Sequence, residues 1–247
     1  HRRGIHPTSY LGHFGAAAAA ASVMGFDAAA MNRCLGVVSG QAGGLLRSFG
    51  TMCKPLNAAH AAQDAVMAAA LTARGFTAPE NVFDGNGNVF ELSGGEADDA
   101  TLVGELGERY EITRNTVKVY ACTAWRNPVV QGMIELTREH GLTAANVKTV
   151  TVWACTDVLR LPNYTEARTG LEGKFSTEHA VAVAIVDRAG GVAQFTDARV
   201  ADAALHPLRK KVTVIEDPAM PAFHIRLRVE TTDGRTLDHA CLLYTSP

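Results

Sequence analysis

Gly4-Ile5-His6-Pro7-Thr8 runs directly into Tyr10–Met24, a stretch dominated by Ala with Leu, Phe and Val, and Gly25 closes it. That pattern reads as a helix with a glycine C-cap. Small residues on every face suit a helix packed against neighbours on several sides, because close approach needs short side chains. A second motif, Thr51-Met52-Cys53-Lys54-Pro55-Leu56, feeds a similar run that ends on Gly75. In both, a basic residue stands beside a proline that fixes the backbone and ends any preceding helix. The free N–H groups of the helix start then face whatever anion approaches. His6 and Lys54 therefore stand where site residues often sit, although His-Pro and Lys-Pro also precede helices for capping alone.

Working outward, Asp27 is placed to cap a helix from Ala28 to about Gly40, and Asn57 to cap a third from Ala58 to Arg74. Gly85-Asn86-Gly87-Asn88 reads as a turn, and Leu102–Leu106 as a short helix. After about Thr113 the pattern changes. Val117–Cys122 and Val147–Ala154 read as strands, Pro128–His140 has helical spacing, and Ser176 starts a helix containing Val181, Val183, Ile185 and Val186. Lys211–Ile215 and Phe223–Glu230 read as further strands, with Thr232-Asp233-Gly234 a hairpin turn into Leu237. The fold expected is a partial all-helical domain over residues 1–112, then a smaller α+β domain over 113–247 with a mostly antiparallel sheet. Internal repeats are absent.

Composition narrows the function classes. Of the 247 residues, 47% are hydrophobic and 19% charged, which is ordinary for a soluble globular chain. A formal net charge of -2 supplies no general attraction for nucleic acid or an anionic membrane. Phe14–Phe26 is too short and too rich in Ala and Gly to span a bilayer, and the stretch after Arg2 and Arg3 does not read as a signal peptide. Cys34, Cys53, Cys122, Cys155 and Cys241 are widely spaced and form no C-x-x-C pair, so no metal site is expected and reduced thiols in the cytoplasm are. The chain opens inside a motif and closes on an uncharged tail, Cys241–Pro247, after a strand that is still running. It reads as a piece of a longer protein, whose last residues need not be native to it.

Four ordered motifs resemble one family. Gly4-Ile5-His6-Pro7-Thr8 with Gly12-His13-Phe14-Gly15-Ala16-Ala17 is similar to the G-x-H-x-T…G-x-x-G/A-A-A segment of the MmgE/PrpD family. Met52-Cys53-Lys54-Pro55-Leu56, followed by Ala61-Ala62 and Gly75-Phe76-Thr77, resembles its T-K-P-L-H…A-A…G-F-T-G run. Lys118-Val119-Tyr120-Ala121-Cys122 resembles its K-x-Y-P-C segment, and Lys174-Phe175-Ser176 its K-F-S helix start. Members include 2-methylcitrate dehydratase, cis-aconitate decarboxylase and an iminodisuccinate epimerase.

The resemblance implies a cofactor-free, metal-independent lyase built from a helical domain and an α+β lid, usually a homodimer, acting on a small di- or tricarboxylate. Its chemistry removes a proton next to a carboxylate and then eliminates water or carbon dioxide. Such chemistry needs a base and a stabiliser for enediolate charge. His6 is then base or acid, while Lys54 and Lys118 pair with substrate carboxylates. Thr8, Ser176 and His179 are the substrate-binding candidates. His6 and Lys54 should lie within ~10 Å of each other, the span of one small dianion. The bland alternatives are a helix-start His bonded to backbone, a solvated Lys before a turn, an exposed strand-end Lys118 and an exposed helical His179. His13 reads as a packing residue and His60 as a surface one.

Departures from the family pattern bear on the chemistry. Asn57 stands where many members have His, and Thr123 and Asn127 stand where members commonly carry a His beyond the lysine segment. The family's Asp-rich segment would lie before residue 1. Two other readings remain: an epimerase or racemase of a substituted succinate, and a non-catalytic helical interaction domain whose His and Lys motifs only cap helices.

Overall fold

The computed structural model describes residues 4–94 and 98–242. Arg2, Arg3 and the tail beyond Leu242 lie outside the described residues. The chain divides into two compact units, one of residues 1–48 and 52–110, the other of residues 49–51 and 111–247.

The first unit is helical. Helix α1 spans Pro7–Val23, α2 Ala28–Ser39 and α3 Cys53–Thr72, with short helices α4 (Val89–Ser93) and α5 (Asp99–Val103) after them. Pro7 opens α1, where its missing N–H is no loss. The helix ends as the glycine predicts: Gly25 turns at φ 69°, its N–H donates to Ser22 O, and Phe26 N–H reaches back to Ala21 O. Asp27 Oδ1 caps α2 by accepting from Ala30 N–H at 2.7 Å. Helix α3 departs from expectation. It begins at Cys53, so Asn57 lies within the helix and caps nothing, and Lys54-Pro55 form its first turn. Proline is tolerated there because first-turn N–H groups have no intrahelical acceptor.

Alanine makes the packing of this unit. Ala17 and Ala21 of α1 and Ala61, Ala65, Ala68 and Ala69 of α3 are all 3% exposed or less. A Cβ built on Gly12 of α1 would stand 3.5 Å from Ala61 Cβ, an ordinary contact between closely packed helices. Tyr10, Phe14, Cys34, Val37 and Val38 complete the core, and the Tyr10 hydroxyl donates to Val89 O at 2.9 Å.

The second unit sets helices against a four-stranded sheet. It contains α6 (Asn127–His140), β1 (Val147–Ala154), α7 (Thr156–Arg160), α8 (Gly170–Gly173), α9 (Thr177–Val186), α10 (Asp197–Val200), α11 (His206–Arg209), β2 (Val212–Glu216), β3 (His224–Thr231) and β4 (Thr236–Leu242). The sheet order is β2-β1-β3-β4. Val150, Val152, Ile225, Leu227 and Val229 point from β1 and β3 into a core shared with Val130 and Met133 of α6 and Ala180–Ile185 of α9. The other face is polar, with Arg226 stacked over the Trp153 ring at 4.4 Å. That alternation is the mark of a sheet buried on one side.

Two expectations for this unit need correction. The sheet is mixed: β3 and β4 pair antiparallel across the predicted turn, and β1 pairs antiparallel with β3, but β1 pairs parallel with β2 in the register Val150↔Val212. Between β1 and β2 the chain passes through α9, and a helical crossover of that length returns a strand in the same direction. Residues 117–122 form no strand. Val117 and Val119 are exposed, and Ala121 N–H bonds Gly190 O while Tyr120 N–H bonds the Asn127 side chain. Their alternation suits a strand, but no neighbouring strand among the described residues receives them.

No helix among the described residues is long and apolar enough to cross a membrane. Two glycines on neighbouring helices test the packing. A Cβ on Gly36 of α2 would sit 2.1 Å from Pro79 O, whereas Gly12 has room. Gly36→Ala is expected to lower stability by about 1–3 kcal/mol despite better helix propensity, and Gly12→Ala to leave it unchanged or raise it, in urea denaturation.

Candidate active site

The polar cluster of the helical unit begins with a two-stranded clasp. Ile5 bridges Leu45, His6 N–H donates to Gly44 O at 3.0 Å, and Leu46 N–H donates to Gly4 O at 2.7 Å. The clasp requires glycine at 44, which adopts φ +113° and on which a Cβ would lie 2.8 Å from the Ser9 side chain. His6 is thereby the residue preceding α1, but its ring caps no helix N–H. The ring is 3% exposed and its Nδ1 lies 3.3 Å from Asn57 Nδ2. The same Asn57 Nδ2 donates to Ser48 Oγ at 3.0 Å, Ser48 Oγ donates to Leu45 O at 2.8 Å, and Ser9 Oγ donates to Asn57 O at 3.1 Å.

Lys54, half-buried one turn before Asn57, is close enough to act on His6 electrically. Burial first, and then the Lys54 charge, push the His6 pKa below its ordinary value, so the ring is neutral at pH 7. A neutral imidazole beside an ammonium group can meet a carboxylate and its α-carbon with both a charge and a polar ring nitrogen. Thr8 is exposed on the first turn of α1. His60 is exposed on α3. His13 is buried, with Nδ1 2.6 Å from Ser9 O and Nε2 3.1 Å from Asp64.

The remaining sequence candidates belong to the second unit. Lys118 is exposed in the irregular segment, and its charge opposes, without overcoming, the burial that pushes the Cys122 thiol up to about 12. Ser176 and His179 are fully buried. Ser176 Oγ caps α9 by accepting from His179 N–H at 3.0 Å and donates to Glu178 at 3.2 Å. His179 Nδ1 accepts from Arg209 Nη2 at 2.7 Å, so its Nε2–H donates to Gln194 O, also at 2.7 Å. Burial chiefly, with Arg209 and Arg199 nearby, drives its pKa down to about 4. The ring is neither solvent-exposed nor unoccupied; both nitrogens serve the interior of this unit.

Comparison with known proteins decides the lineage. The MmgE/PrpD N-terminal domain family matches residues 1–100 and the MmgE/PrpD C-terminal domain family matches residues 120–244. The chain belongs to the MmgE/PrpD family. No curated protein matches it.

Set against the MmgE/PrpD pattern, the non-titrating positions have clear local roles. Asn57 binds His6 rather than a helix N–H. Asn127, fully buried, accepts from Tyr120 N–H and donates to Thr123 O. Thr123 accepts from Arg126, whose guanidinium is also buried, reaching Pro162 O and Asn163 with a pKa lowered to about 10 by burial. Sequence reasoning missed Ser48 and Ser9, which lie in no motif, and gave Asn57 the wrong task. It also missed Arg126 and Glu178, whose one signal was a charge inside an apolar segment.

Glu135, His239 and Cys241 bring a carboxylate, an imidazole and a thiol within 4.8 Å of one another, the nearest approach to a metal-ligand set among the described residues. Glu135 already faces His239 Nε2 at 2.9 Å, and burial and Glu135 together raise the Cys241 thiol to about 11. A protonated thiol beside a carboxylate–imidazole contact accounts for the group. A cavity of about 480 Å³ in the second unit is lined by Arg168, Glu178, His206, Arg209 and Lys210 among others, and none of the sequence candidates borders it.

The buried His179 makes stability depend on pH. Its folded pKa of about 4 lies below the ordinary 6.5, so the unfolded chain binds the extra proton between those values. Stability should be full above about pH 6.5 and fall by about 3 kcal/mol as the pH drops to 4. His179→Gln should flatten that part of the urea-midpoint profile against pH.

Proposed function

We propose that this chain is the core of a cofactor-free lyase or isomerase for a small di- or tricarboxylate, working by proton removal next to a carboxylate. The reading is supported by one observation above the others. In the helical unit the charge of Lys54, 48 residues along the chain from His6, adds to burial in lowering the His6 pKa, so the two family motifs act on each other. A carboxylate substrate with an acidified α-proton needs that pair, because enediolate formation adds negative charge to a group already anionic. Lys54 opposes that growing charge, His6 supplies a neutral ring nitrogen, and Lys118 is assigned to a second substrate carboxylate. Thr8 is kept as a substrate hydroxyl contact. Water leaves from the enediolate, its β-hydroxyl departing with a proton as the carbon–carbon double bond forms; loss of carbon dioxide, which leaves an electron pair on carbon, requires instead a proton delivered to the substrate to take up that pair. A homodimer in the cytoplasm is part of the proposal.

Epimerisation of a substituted succinate is the second reading, and a specific observation favours it. Thr123 and Asn127 replace lid histidines and are tied into hydrogen bonds with Arg126 and backbone, so neither serves as an acid for a leaving group. Epimerisation needs no leaving group, only a proton taken from one face and returned to the other.

Incubation with a panel of di- and tricarboxylates in deuterium oxide tests both. Deuterium uptake at the α-carbon is expected, with net conversion for a lyase substrate and inversion for an epimerase one. Lys54→Ala should reduce kcat on the order of 10²-fold with a smaller change in KM, since the contact strengthens in the transition state. Lys54→Arg should restore only part, because a planar guanidinium places its charge elsewhere. His60→Ala should be nearly neutral. Full activity in folded Lys54→Ala, or no exchange with any polycarboxylate, returns the chain to an interaction domain.

A further inference from the structure

Ser48 decides the direction of the hydrogen bonds around His6. A serine hydroxyl has one proton, and Ser48 Oγ–H donates it to Leu45 O at 2.8 Å. Toward Asn57, 3.0 Å away, the Ser48 oxygen can then only accept. The amide atom facing it is therefore the NH2 group. Turning the amide over would set its carbonyl oxygen against an oxygen with no proton left to give. The NH2 carries a second proton, and that side of the cluster holds His6 Nδ1 at 3.3 Å. The distance is long for a hydrogen bond, yet a bare ring nitrogen welcomes an amide N–H there, whereas an Nδ1–H would face it proton to proton.

Asn57 is itself well anchored. Its backbone carbonyl accepts from Ser9 Oγ at 3.1 Å. The glycine loop lies beside its side chain, where a Cβ on Gly44 would stand 3.4 Å from Asn57 Cγ. His6 is equally constrained, with its backbone N–H on Gly44 O and only 3% of the residue exposed to solvent. A neutral imidazole carries one proton, and which nitrogen holds it is set by the hydrogen bond made at the other.

We infer that Asn57 is a positioning residue that locks neutral His6 with its proton on Nε2, so that His6 meets the substrate as a hydrogen-bond donor to enediolate oxygen and not as the base that takes the α-proton. The substrate half of this inference rests on the function proposed above; the tautomer half does not. It divides the labour in the helical unit. Lys54 and His6 Nε2–H both stabilise developing negative charge, in the manner of oxyanion-binding donors, and a different group removes the proton. It also gives Asn57 a reason to be an amide: a side chain that does not titrate holds one tautomer across the working pH range.

The tautomer can be read directly in the 247-residue chain. Labelling with ¹⁵N-histidine and recording long-range ¹H–¹⁵N spectra at neutral pH separates a protonated ring nitrogen from a bare one, with His6→Gln identifying the His6 signals. The Nε2–H form of His6 should exceed the other by about tenfold, the ratio set by one hydrogen bond. Asn57→Asp replaces the donor with an acceptor and should move the proton to Nδ1. Ser48→Ala removes the acceptor that orients the amide, releases it to turn over, and should raise the Nδ1–H population with both His6 and Asn57 left in place. Among exchanging substrates, Asn57→Asp should lower kcat more than it alters KM. A wild-type Nδ1–H tautomer overturns the inference, as does an Nε2–H form that persists unchanged in both folded variants. A tautomer that switches as described while no polycarboxylate exchanges deuterium supports the lock and overturns only the proposed function.

Discussion

The contact of α1 with α3 through alanine is the constraint on which the helical unit depends. With Ala17 and Ala21 of α1 and Ala61, Ala65 and Ala68 of α3 all buried, and Gly12 set against Ala61, the helices approach closely enough that the polar residues at their N-terminal ends meet. Ser9 on α1 then bonds the backbone of Asn57 on α3, and His6, just ahead of α1, reaches the Asn57 side chain. Larger side chains at the alanine positions would separate these ends, since a core transmits added volume as backbone shift. The site is thus a by-product of small residues more than of its own motifs. The clasp of residues 4–6 on 44–46 supplies the second restraint, and it closes because residue 44 has no Cβ.

The α+β unit solves a different problem, that of burying charge. Arg126 is fully buried and Glu178 is 6% exposed, yet they do not pair directly among the described residues. Asn163 stands between them: its Oδ1 accepts from Arg126 Nη2 at 3.1 Å, and its Nδ2 donates to both oxygens of Glu178 at 3.0 and 3.2 Å. A neutral amide that accepts from the cation and donates to the anion couples the two charges without a direct salt bridge, and Ser176 adds one more donor to Glu178. Arg126 Nε remains without a hydrogen bond, so the network is not complete. Breaking such a network leaves a buried charge uncompensated, which costs far more than the intact arrangement contributes. The K-F-S motif belongs to this network, with Ser176 capping α9 and presenting Glu178.

These two arrangements explain why family motifs read differently from site residues. Ser176 and His179 share the strength of their motif with Lys54, but in the structure their polar atoms are engaged inside one unit, one as a cap and one as a neutral link between Arg209 and Gln194. A His at helical spacing carries no sign of whether its face turns inward. The burial of α9 on nearly every side settles that, and it comes from neighbours distant in sequence.

What the sequence by itself determined is local. Glycine at 25 and 75, aspartate at 27, serine at 176 and the Thr232-Asp233-Gly234 turn stop, cap and reverse the chain through bonds made within a few residues, and those elements stand where the pattern puts them. The strand Val147–Ala154 was equally legible because its alternation answers to one buried face. Tertiary structure decided the rest. It left 117–122 without a strand partner, paired β1 and β2 in parallel through a helical crossover, started α3 four residues before Asn57, and set that asparagine between Ser48 and His6. Each of these turns on which groups meet across long sequence separation, and a pattern of residue types holds no record of the partner that will be there to accept a proton or receive a strand.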